Sequence, residues 1–375
     1  MKVVIAIDSF KGSLSSMEGG NAVKAGILAA RPDAHVVVKP LADGGEGTTD
    51  ALTEGLGGER IDLSVTGPLG EPVDAYYGLL PSTNTAIMEM AAASGITLLP
   101  GGAKDPLRAS TYGVGEMIAD AVTRGCRDFI IGIGGSATND GGIGMLKALG
   151  FTFLDENGND VGEGAQALAK VDTVQTQGRL PELKECRFRI ACDVINPLCG
   201  DDGATFVYGP QKGVTDDMKQ PLDMAMAHFA DVTATALGKD LRDVPGTGAA
   251  GGLGFAFLSY LNARLTPGID LILDAVKLED ELADADIVVT GEGRLDFQTA
   301  MGKAPVGVAR LAKKHGAKVI AFAGGVTKEA RACNGAGIDA FFPVVRGVTT
   351  LEEAMNPENA RANVTDTAEQ VFRLM

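Results

Sequence analysis

Residues 2–18 read KVVIAIDSFKGSLSSME, and their pattern decides the fold class. The five apolar residues at 3–7 form a continuous run of strand length, which is typical of a parallel strand buried on both faces. After a short polar loop, Ser15 and Glu18 have the spacing of a capping box and predict a helix that runs to about Ala30. The segment is therefore predicted to fold as strand, loop and helix.

The same rhythm continues along both ends of the chain. A second strand is predicted over 36–38 and a helix over 49–56. Near the other end, the pattern predicts strands over 287–290, 319–322 and 341–345 and helices over 304–315 and 359–374. Alternating strands and helices are typical of a parallel sheet with helices on its faces. We therefore expect both ends to form one doubly wound α/β domain.

The middle of the chain has a different sequence pattern. It predicts hairpin strands over 73–79 and 85–90, further strands over 129–133 and 189–191, and helices near 115–123, 145–149, 217–237 and 249–263. At 375 residues, two domains are the default expectation. We interpret the middle as a second α/β domain inserted into the first. The predicted domains are residues 1–65 plus 284–375, and residues 66–283.

Composition excludes several classes of protein. A hydrophobic content of 45% indicates a globular chain, and a net charge of −16 argues against a broad surface for nucleic acid or anionic membrane. The five cysteines and three histidines are scattered, which argues against a disulfide framework, a zinc site and a Ser-His-Asp triad. We expect a cytoplasmic protein with a small-molecule partner, and the sequence leaves open whether it is a monomer or a homodimer.

Four glycine-rich loops carry charged or hydroxyl side chains. They are residues 8–13, 43–48, 132–142 and 291–296. At least three follow a short β-branched run and lead into a predicted helix, an arrangement that presents backbone N–H groups to an anion. Carboxylates and cations beside glycine suggest metal and phosphate chemistry. The sequence therefore predicts an enzyme that handles a phosphorylated nucleotide.

The first two loops offer a cation and a pair of carboxylates. A lone loop lysine is usually solvated, but the position of Lys11 between a strand and a capped helix favours a charge contact with a transferring phosphate. Asp43 and Glu46 lie in a loop with little steric bulk, and Mg²⁺ prefers such oxygen ligands. A tight turn would use the same residues, so this loop alone does not distinguish the two roles.

The third loop carries a dinucleotide-binding pattern. Gly132, Gly134 and Ala137 match Gly-x-Gly-x-x-Gly/Ala after a predicted strand, and Asp155 and Glu156 follow at about the distance of a ribose-binding acid. This pattern supports an alternative function as an NAD-dependent oxidoreductase. The loop continues as a polar segment through residues 139–142, however, so the predicted helix starts late. We therefore favour a cradle for phosphate or substrate.

The fourth loop brings several polar types to one strand end. Arg294 can bind a carboxylate or phosphate through two hydrogen bonds, and Asp296 can accept a proton from a substrate hydroxyl. The structural alternative is a helix start capped by Asp296.

Two further residues lie outside the four loops. Asp193 also follows a strand, and its possible roles are metal ligand, base or turn residue. Lys212 is interpreted as an exposed turn lysine, and a lysine that faces a phosphate is the alternative.

These motifs together resemble those of the bacterial type-1 glycerate kinase family. The matching stretches are 8–15 (DSFKGSLS), 42–48 (ADGGEGT), 134–142 (GGSATNDGG), 209–213 (GPQKG) and 290–296 (TGEGRLD). They occur in order along essentially the whole chain, although position 7 is Ile where many members carry Pro. The resemblance implies ATP-dependent phosphorylation of D-glycerate, usually to 2-phosphoglycerate. It also implies a discontinuous Rossmann- or flavodoxin-like domain, an inserted α/β domain and an active site in the cleft between them.

The expected mechanism is direct in-line transfer assisted by Mg²⁺. The predicted catalytic residues are Lys11, Asp193, Arg294 and Asp296, with Asp43 and Asp193 as metal ligands. The predicted ATP-binding residues are Ser9, Gly44, Gly45, Gly134, Gly135, Ser136, Asn139 and Glu292. Two alternatives remain open at this point: the NAD-dependent oxidoreductase acting on a small hydroxy acid, and a non-catalytic protein that binds small acids.

Overall fold

A computed structural model describes all residues from Met1 to Met375. Its strands are β1 (Lys2–Ile7), β2 (His35–Pro40), β3 (Glu59–Thr66), β4 (Pro72–Leu80), β5 (Thr85–Glu89), β6 (Asp128–Gly132), β7 (Thr152–Leu154), β8 (Thr173–Gln175), β9 (Arg187–Ala191), β10 (Arg264–Thr266), β11 (Ile287–Leu295), β12 (Lys318–Val326) and β13 (Ala340–Pro343). Its helices are α1 (Ser16–Ala30), α2 (Thr48–Gly55), α3 (Ala91–Ser94), α4 (Tyr112–Thr123), α5 (Ile143–Ala148), α6 (Ala165–Leu168), α7 (Ala204–Tyr208), α8 (Asp216–Leu237), α9 (Ala249–Tyr260), α10 (Gly268–Ala275), α11 (Leu278–Leu282), α12 (Phe297–Ala300), α13 (Ala304–Lys314), α14 (Ala332–Gly335), α15 (Leu351–Met355) and α16 (Pro357–Phe372).

The chain divides into two compact units. The first unit contains residues Met1–Asp43, Asp50–Gly57 and Ile269–Met375. The second contains residues Gly44–Thr49 and Gly58–Gly268. None of the helices is both long enough and apolar enough to span a membrane.

The first unit is built on a wholly parallel five-stranded sheet. The strands lie in the order β13-β12-β11-β1-β2, and each neighbouring pair is parallel. Numbered within the unit, this is the order 2-1-3-4-5 of flavodoxin-like folds. The predicted α/β class with a flavodoxin-like parallel sheet is therefore confirmed. The chain order reverses between β1 and β11, and ligands of open α/β sheets bind beyond the strand ends at such a point.

Helices α1 and α16 cover one face of this sheet. Val3, Ile5 and Ile7 belong to one buried cluster with residues of both helices, while Val4 on the opposite face of β1 is also fully buried. The two helices approach closely at Gly26, where a Cβ atom would lie 2.2 Å from the carbonyl oxygen of Thr365. The central strand is thus buried on both faces, as its apolar run predicts.

The predicted start of α1 is also confirmed. The Ser15 hydroxyl accepts a hydrogen bond from the backbone N–H of Glu18 at 3.2 Å, and the Glu18 carboxylate accepts one from the Ser15 N–H at 2.9 Å. This reciprocal pair satisfies two N–H groups that a helix start otherwise leaves without partners. The chain between β1 and α1 is therefore held at both ends, which fixes the position of Lys11 in the loop.

The second unit contains a mixed six-stranded sheet in the order β10-β9-β6-β5-β4-β3. Strands β5, β6, β9 and β10 are parallel, whereas β3, β4 and β5 form an antiparallel meander. An aromatic cluster fills its core, in which Phe129 is stacked on Phe188 and Phe153 packs tilted against Phe229 and edge to face against Tyr260. The parallel strands β6 and β9 end side by side, so the residues that follow them are neighbours.

Strand β11 and helix α9 both differ from the sequence prediction. Strand β11 continues through residues 291–295 and pairs Arg294 with Gly325 of β12, so most of the fourth predicted loop is strand. A Cβ atom at Gly291 would lie 2.0 Å from the Phe322 carbonyl oxygen and one at Gly324 would lie 2.7 Å from the Gly293 carbonyl oxygen, so these two glycines allow the strands to pack closely. Helix α9 is interrupted at residues 250–252, where all three φ angles are positive.

Candidate functional site

The first unit has a cavity of about 560 Å³ at the carboxyl edge of its sheet. Most residues of its charged end follow β1 or lie at and just beyond the end of β11, where the strand order reverses, whereas Asp43 follows β2 and Lys303 directly precedes α13. The acids are Asp8, Asp43, Glu292 and Asp296, and the cations are Lys11, Arg294 and Lys303. Ser9 lines the same wall. Six predicted site residues are therefore neighbours here: Ser9, Lys11, Asp43, Glu292, Arg294 and Asp296.

Asp8 is the most perturbed carboxyl group of this cavity. It is 6% exposed, and burial together with the nearby charge of Asp43 raises its pKa to about 7, partly offset by the hydrogen bond from the Ser9 N–H and by Lys11. Burial also raises the pKa of Glu292, whose carboxylate accepts a short hydrogen bond from the Thr299 hydroxyl. Negative charge is thus concentrated in a poorly hydrated place.

Asp296 has two roles in the local geometry. Its Oδ1 accepts a hydrogen bond from the backbone N–H of Gln298 at 2.9 Å, which caps α12, and its Oδ2 lies 3.9 Å from Nε of Arg294. The Arg294 side chain is 70% exposed. The structure therefore contains the predicted helix cap and also leaves one carboxylate oxygen and a guanidinium at the cavity.

The other wall of the first cavity is apolar. It is formed by Phe10, Val344, Leu351, Met355 and Val364. Leu351 is 75% exposed, so most of its apolar side chain has no protein partner. Apolar walls with a few polar groups at one end are typical of sites that bind an organic ligand with one charged end.

A second cavity, of about 330 Å³, lies in the second unit at the ends of β6 and β9. The predicted residues that line it are Gly44, Gly45, Gly134, Gly135, Ser136 and Asp193. Gly44 packs so closely that a Cβ atom would lie 2.7 Å from Cα of Gly268. The Asp193 Oδ1 accepts a hydrogen bond from the Gly268 N–H at 2.8 Å, so this carboxylate also holds the backbone before α10.

Lys212 lies in the second cavity, and the sequence interpretation of it as an exposed turn lysine is wrong. It is 1% exposed, and its Nζ donates a hydrogen bond to the Thr138 carbonyl oxygen at 2.6 Å. Burial lowers the pKa of Lys212 to about 7, partly offset by the negative charge of Asp140. The turn residue Gly213, with φ of +100°, reverses the chain directly after Lys212.

Asn139 lies outside both cavities as they are lined in this structure. It is fully buried, and its side-chain N–H donates to the Thr205 hydroxyl at 3.0 Å. Its neighbour Asp140 is also fully buried and accepts hydrogen bonds from Thr111, Gly142 and Gly144. These contacts fix the glycine-rich loop from behind, and a ligand-binding role of Asn139 stays a prediction.

The dinucleotide interpretation of the third loop receives no structural support. Helix α5 begins only at Ile143, well after the glycine pattern, and has six residues. Asp155 accepts hydrogen bonds from the backbone N–H groups of Asn157 and Asn159 in its own turn, and neither it nor Glu156 lines the second cavity. The sequence therefore matches the Gly-x-Gly-x-x-Ala pattern, but the structure lacks the strand-to-helix turn that this pattern forms in dinucleotide-binding sites.

Some lining residues escaped sequence reasoning. Asp8 and Lys303 line the first cavity, and Tyr208 and Gln211 line the second. Asp8 carried a usable signal because it follows a buried strand directly, as the other strand-end acids do. Tyr208 directly precedes the recognised stretch 209–213, and Lys303 follows the fourth loop by several residues, but no local pattern indicated either side chain as part of a site.

Comparison with known proteins identifies the family. The sequence matches the family described as the Glycerate kinase family over residues 3–375. The chain belongs to the glycerate kinase family. It is 47% identical to the glycerate kinase of Bacillus subtilis (strain 168) over 371 residues, which cover 99% of this chain and 97% of that protein. It is also 47% identical to the glycerate 2-kinase of Escherichia coli (strain K12), covering 94% of this chain and 93% of that protein.

The fold agrees with this assignment. A crystal structure described as glycerate kinase 2 from Salmonella typhimurium LT2 superposes with a TM-score of 0.92 at 46% identity, covering 99% of this chain and 97% of that one. The resemblance inferred from the motifs is therefore confirmed. This kinase is an ATP-dependent phosphotransferase that acts on glycerate, and the family assignment excludes the oxidoreductase and non-catalytic alternatives.

The carboxyl groups of the first cavity suit a divalent cation. No group of three or more His, Cys, Asp or Glu side chains forms a ready-made metal site. Asp8, Asp43 and Glu292 nevertheless offer only hard oxygen donors, which Mg²⁺ prefers. Burial is the main cause of the raised pKa values of Asp8 and Glu292, the charge of Asp43 adds to both, and a bound cation would favour the ionised carboxylates.

Proposed function

We propose that this kinase transfers the γ-phosphoryl group of ATP to a hydroxyl of D-glycerate in a direct, Mg²⁺-assisted step that gives 2-phosphoglycerate. The observation that carries the proposal is the charged end of the first cavity, where Lys11, Arg294 and the carboxylates converge at the switch point of the sheet. Phosphoryl transfer depends mainly on positioning and on offsetting charge, and this cluster supplies both cations and acids.

The donor nucleotide has a charged part and an apolar part, as the first cavity does. Lys11 would offset negative charge on the phosphate that is transferred, with Ser9 and Glu292 as further contacts. The apolar wall around Val344 and Met355 offers a surface for the base. The backbone N–H groups near Gly44, Gly45, Gly134, Gly135 and Ser136 would bind anionic oxygens in the second cavity.

The acceptor is a small acid with hydroxyl groups. The exposed guanidinium of Arg294 would bind the glycerate carboxylate through two hydrogen bonds, a geometry that suits Arg better than Lys. The Oδ2 of Asp296 would orient the acceptor hydroxyl and take its proton. No histidine or cysteine lines the first cavity, so a phospho-enzyme on such a residue has no support there.

Mg²⁺ would be held by Asp43, with Asp8 and Glu292 as neighbouring acids. When bound, the cation would supply positive charge beside the phosphate oxygens. Asp193 was predicted as a second ligand. It belongs to the second unit, where one of its oxygens already accepts the Gly268 N–H, and this role stays a prediction.

The test is a coupled assay of ADP release with D-glycerate and Mg-ATP, followed by phosphorus NMR of the product. The proposal expects ADP formation that requires both D-glycerate and a divalent cation, and a phosphorus signal coupled to the proton on C2. A product phosphorylated at C3 would overturn the regiochemistry alone. Absence of ADP formation would overturn the proposed reaction.

A further inference from the structure

Lys212 is a buried cation that the proposed reaction has not used. It ends the short 3₁₀ turn Pro210–Lys212, is 1% exposed, and lines the second cavity. Lysine is almost never fully buried unless its charge is paired, because removing an ammonium from water is costly. A buried lysine at a cavity therefore calls for a partner.

The protein itself supplies only part of that partner. An ammonium group has three N–H donors, and the one hydrogen bond that the Lys212 side chain makes goes to the Thr138 carbonyl. Asp140 is the nearest source of negative charge, but it forms no ion pair with Lys212. Its oxygens instead accept hydrogen bonds from Thr111, Gly142 and Gly144. Positive charge and two donors therefore remain at the cavity.

The opposite wall adds further donors. Gly134, Gly135 and Ser136 follow the end of β6 and line the cavity, and their backbone N–H groups donate no hydrogen bond within the chain. Gly135 has φ of +72°, which favours glycine. Ala250 also lines the cavity with φ of +51°, a strained conformation for a residue with a Cβ atom. Such strain is often stored at ligand sites.

We propose that Lys212 is the cationic partner of an oxyanion subsite in the second cavity, formed together with the backbone N–H groups of residues 134–136. Its ligand is a carboxylate or phosphate group, and the glycerate carboxylate and the nucleotide phosphates are the two sources of that chemistry in the reaction. The inference rests on the proposed function for the identity of these ligands. The lowered pKa of Lys212 agrees with a site whose charge is completed by a ligand.

The matched control is Lys184. It ends a second 3₁₀ turn in the same unit, Pro181–Lys184, and is exposed to solvent. Lys212→Met and Lys184→Met therefore remove the same charge from turns of the same kind, one buried at the cavity and one on the surface. Because Met is unbranched and apolar, it can occupy the buried position without an unpaired charge.

Isothermal titration of each variant with D-glycerate, with a non-hydrolysable ATP analogue and with inorganic phosphate tests the proposal. Lys212→Met is expected to weaken at least one of these ligands about tenfold or more, while its melting temperature stays at or above that of the parent chain. A loss confined to D-glycerate assigns the carboxylate, and a loss confined to the nucleotide analogue assigns the phosphate. Lys184→Met should leave the affinities for all three ligands unchanged.

Unchanged affinity for all three ligands in Lys212→Met would overturn the subsite. A fall in melting temperature with unchanged affinity would show a structural role instead. Should Lys212→Met fail to fold, Lys212→Gln keeps a donor to the Thr138 carbonyl but removes the charge, and the same criteria apply to it. Binding is measured without turnover. The titrations therefore still test the subsite if the proposed kinase reaction is wrong.

Discussion

The Oδ2 atom of Asp296 lies 3.9 Å from Nε of Arg294, whereas Oδ1 of the same carboxylate accepts the backbone N–H of Gln298 at 2.9 Å. One side chain thus stabilises the start of α12 and also presents an oxygen to the cation of the first cavity. Any test of its chemistry has to keep the helix cap. Asn is as good an N-cap as Asp, so the chain offers a substitution that separates the two roles.

Asp296→Asn should reduce kcat by about 10²- to 10⁴-fold, because the amide cannot accept the proton of the acceptor hydroxyl. The melting temperature should change little, since the amide oxygen still accepts the Gln298 N–H. Steady-state kinetics together with thermal unfolding check this. The control is Asp296→Ala, which should lose the cap as well and cost about 1 kcal/mol of stability. Near-normal turnover in Asp296→Asn would remove Asp296 from the chemistry.

Arg294→Lys should mainly weaken glycerate binding. The substitution keeps the positive charge but loses the planar pair of donors that matches a carboxylate, so KM for D-glycerate should rise roughly tenfold. KM for ATP should change much less. Because the Arg294 side chain is 70% exposed and pairs only with Asp296, folding should be unaffected. Glycerate titrations at saturating ATP measure the effect, and an unchanged KM for D-glycerate would reassign this residue.

The parallel sheet of the first unit could be predicted from the sequence because each central strand is a short apolar run bounded by polar residues. Val3, Ile5 and Ile7 alternate with other apolar residues because both faces of the sheet are buried. A continuous apolar run of this length predicts a buried strand. Strand β3 was missed because its residues face solvent on one side and include five charged or hydroxyl side chains in eight positions. Its identity as a strand depends on pairing with β4, which is not local.

The site residues could be predicted only where charged side chains lie in a loop close to the end of a strand. Lys11, Asp43 and Arg294 were recognised from their loops, and they do line one cavity. Lys212 was not, because its burial is set by packing against Thr138, which is 74 positions away in the chain. The strand-like extension of β11 through Arg294 was missed for a similar reason, since glycines weaken strand propensity but permit close pairing with β12.

Thr111 is expected to matter for stability rather than for catalysis. Its hydroxyl donates to the Asp140 carboxylate at 2.8 Å and accepts from the Met145 N–H at 2.9 Å, and both Thr111 and Asp140 are fully buried. Thr111→Val leaves the Met145 N–H and part of the carboxylate without partners, which should cost about 1–3 kcal/mol. Thermal unfolding measures this loss.

The matched control for that prediction is Thr123→Val. Thr123 is the last residue of α4, and Thr111 lies at the other end of this helix, directly before its first residue. The Thr123 hydroxyl donates to the Ala119 carbonyl on the exposed surface. Its substitution should change the stability by less than about 0.5 kcal/mol. Equal losses for Thr111→Val and Thr123→Val would show that the buried network around Asp140 does not stabilise the second unit.

Asp8 should make the stability of the kinase depend on pH. Its pKa rises from 3.8 to about 7 in the folded chain, chiefly through burial and then through the charge of Asp43. Between these two values the folded state holds a proton that the unfolded state has released, so this group lowers stability as pH rises. The cost is absent below about pH 4 and complete above about pH 7. One pKa unit corresponds to about 1.4 kcal/mol, which sets a ceiling of ~4 kcal/mol.

Asp8→Asn removes that cost, because an amide carries no charge and its oxygen can still accept the Ser9 N–H. The variant should therefore melt at a higher temperature than the parent chain at pH 8 and show a much smaller gain at pH 4.5, measured without nucleotide and with divalent cations chelated. Asp33→Asn, in the exposed turn after α1, should show no such pH-dependent gain. A gain for Asp8→Asn that is equal at both pH values would mean that ionisation of Asp8 is not its source. The same variant should also bind Mg²⁺ more weakly, since it removes one of the three acids that are proposed to lie beside the cation.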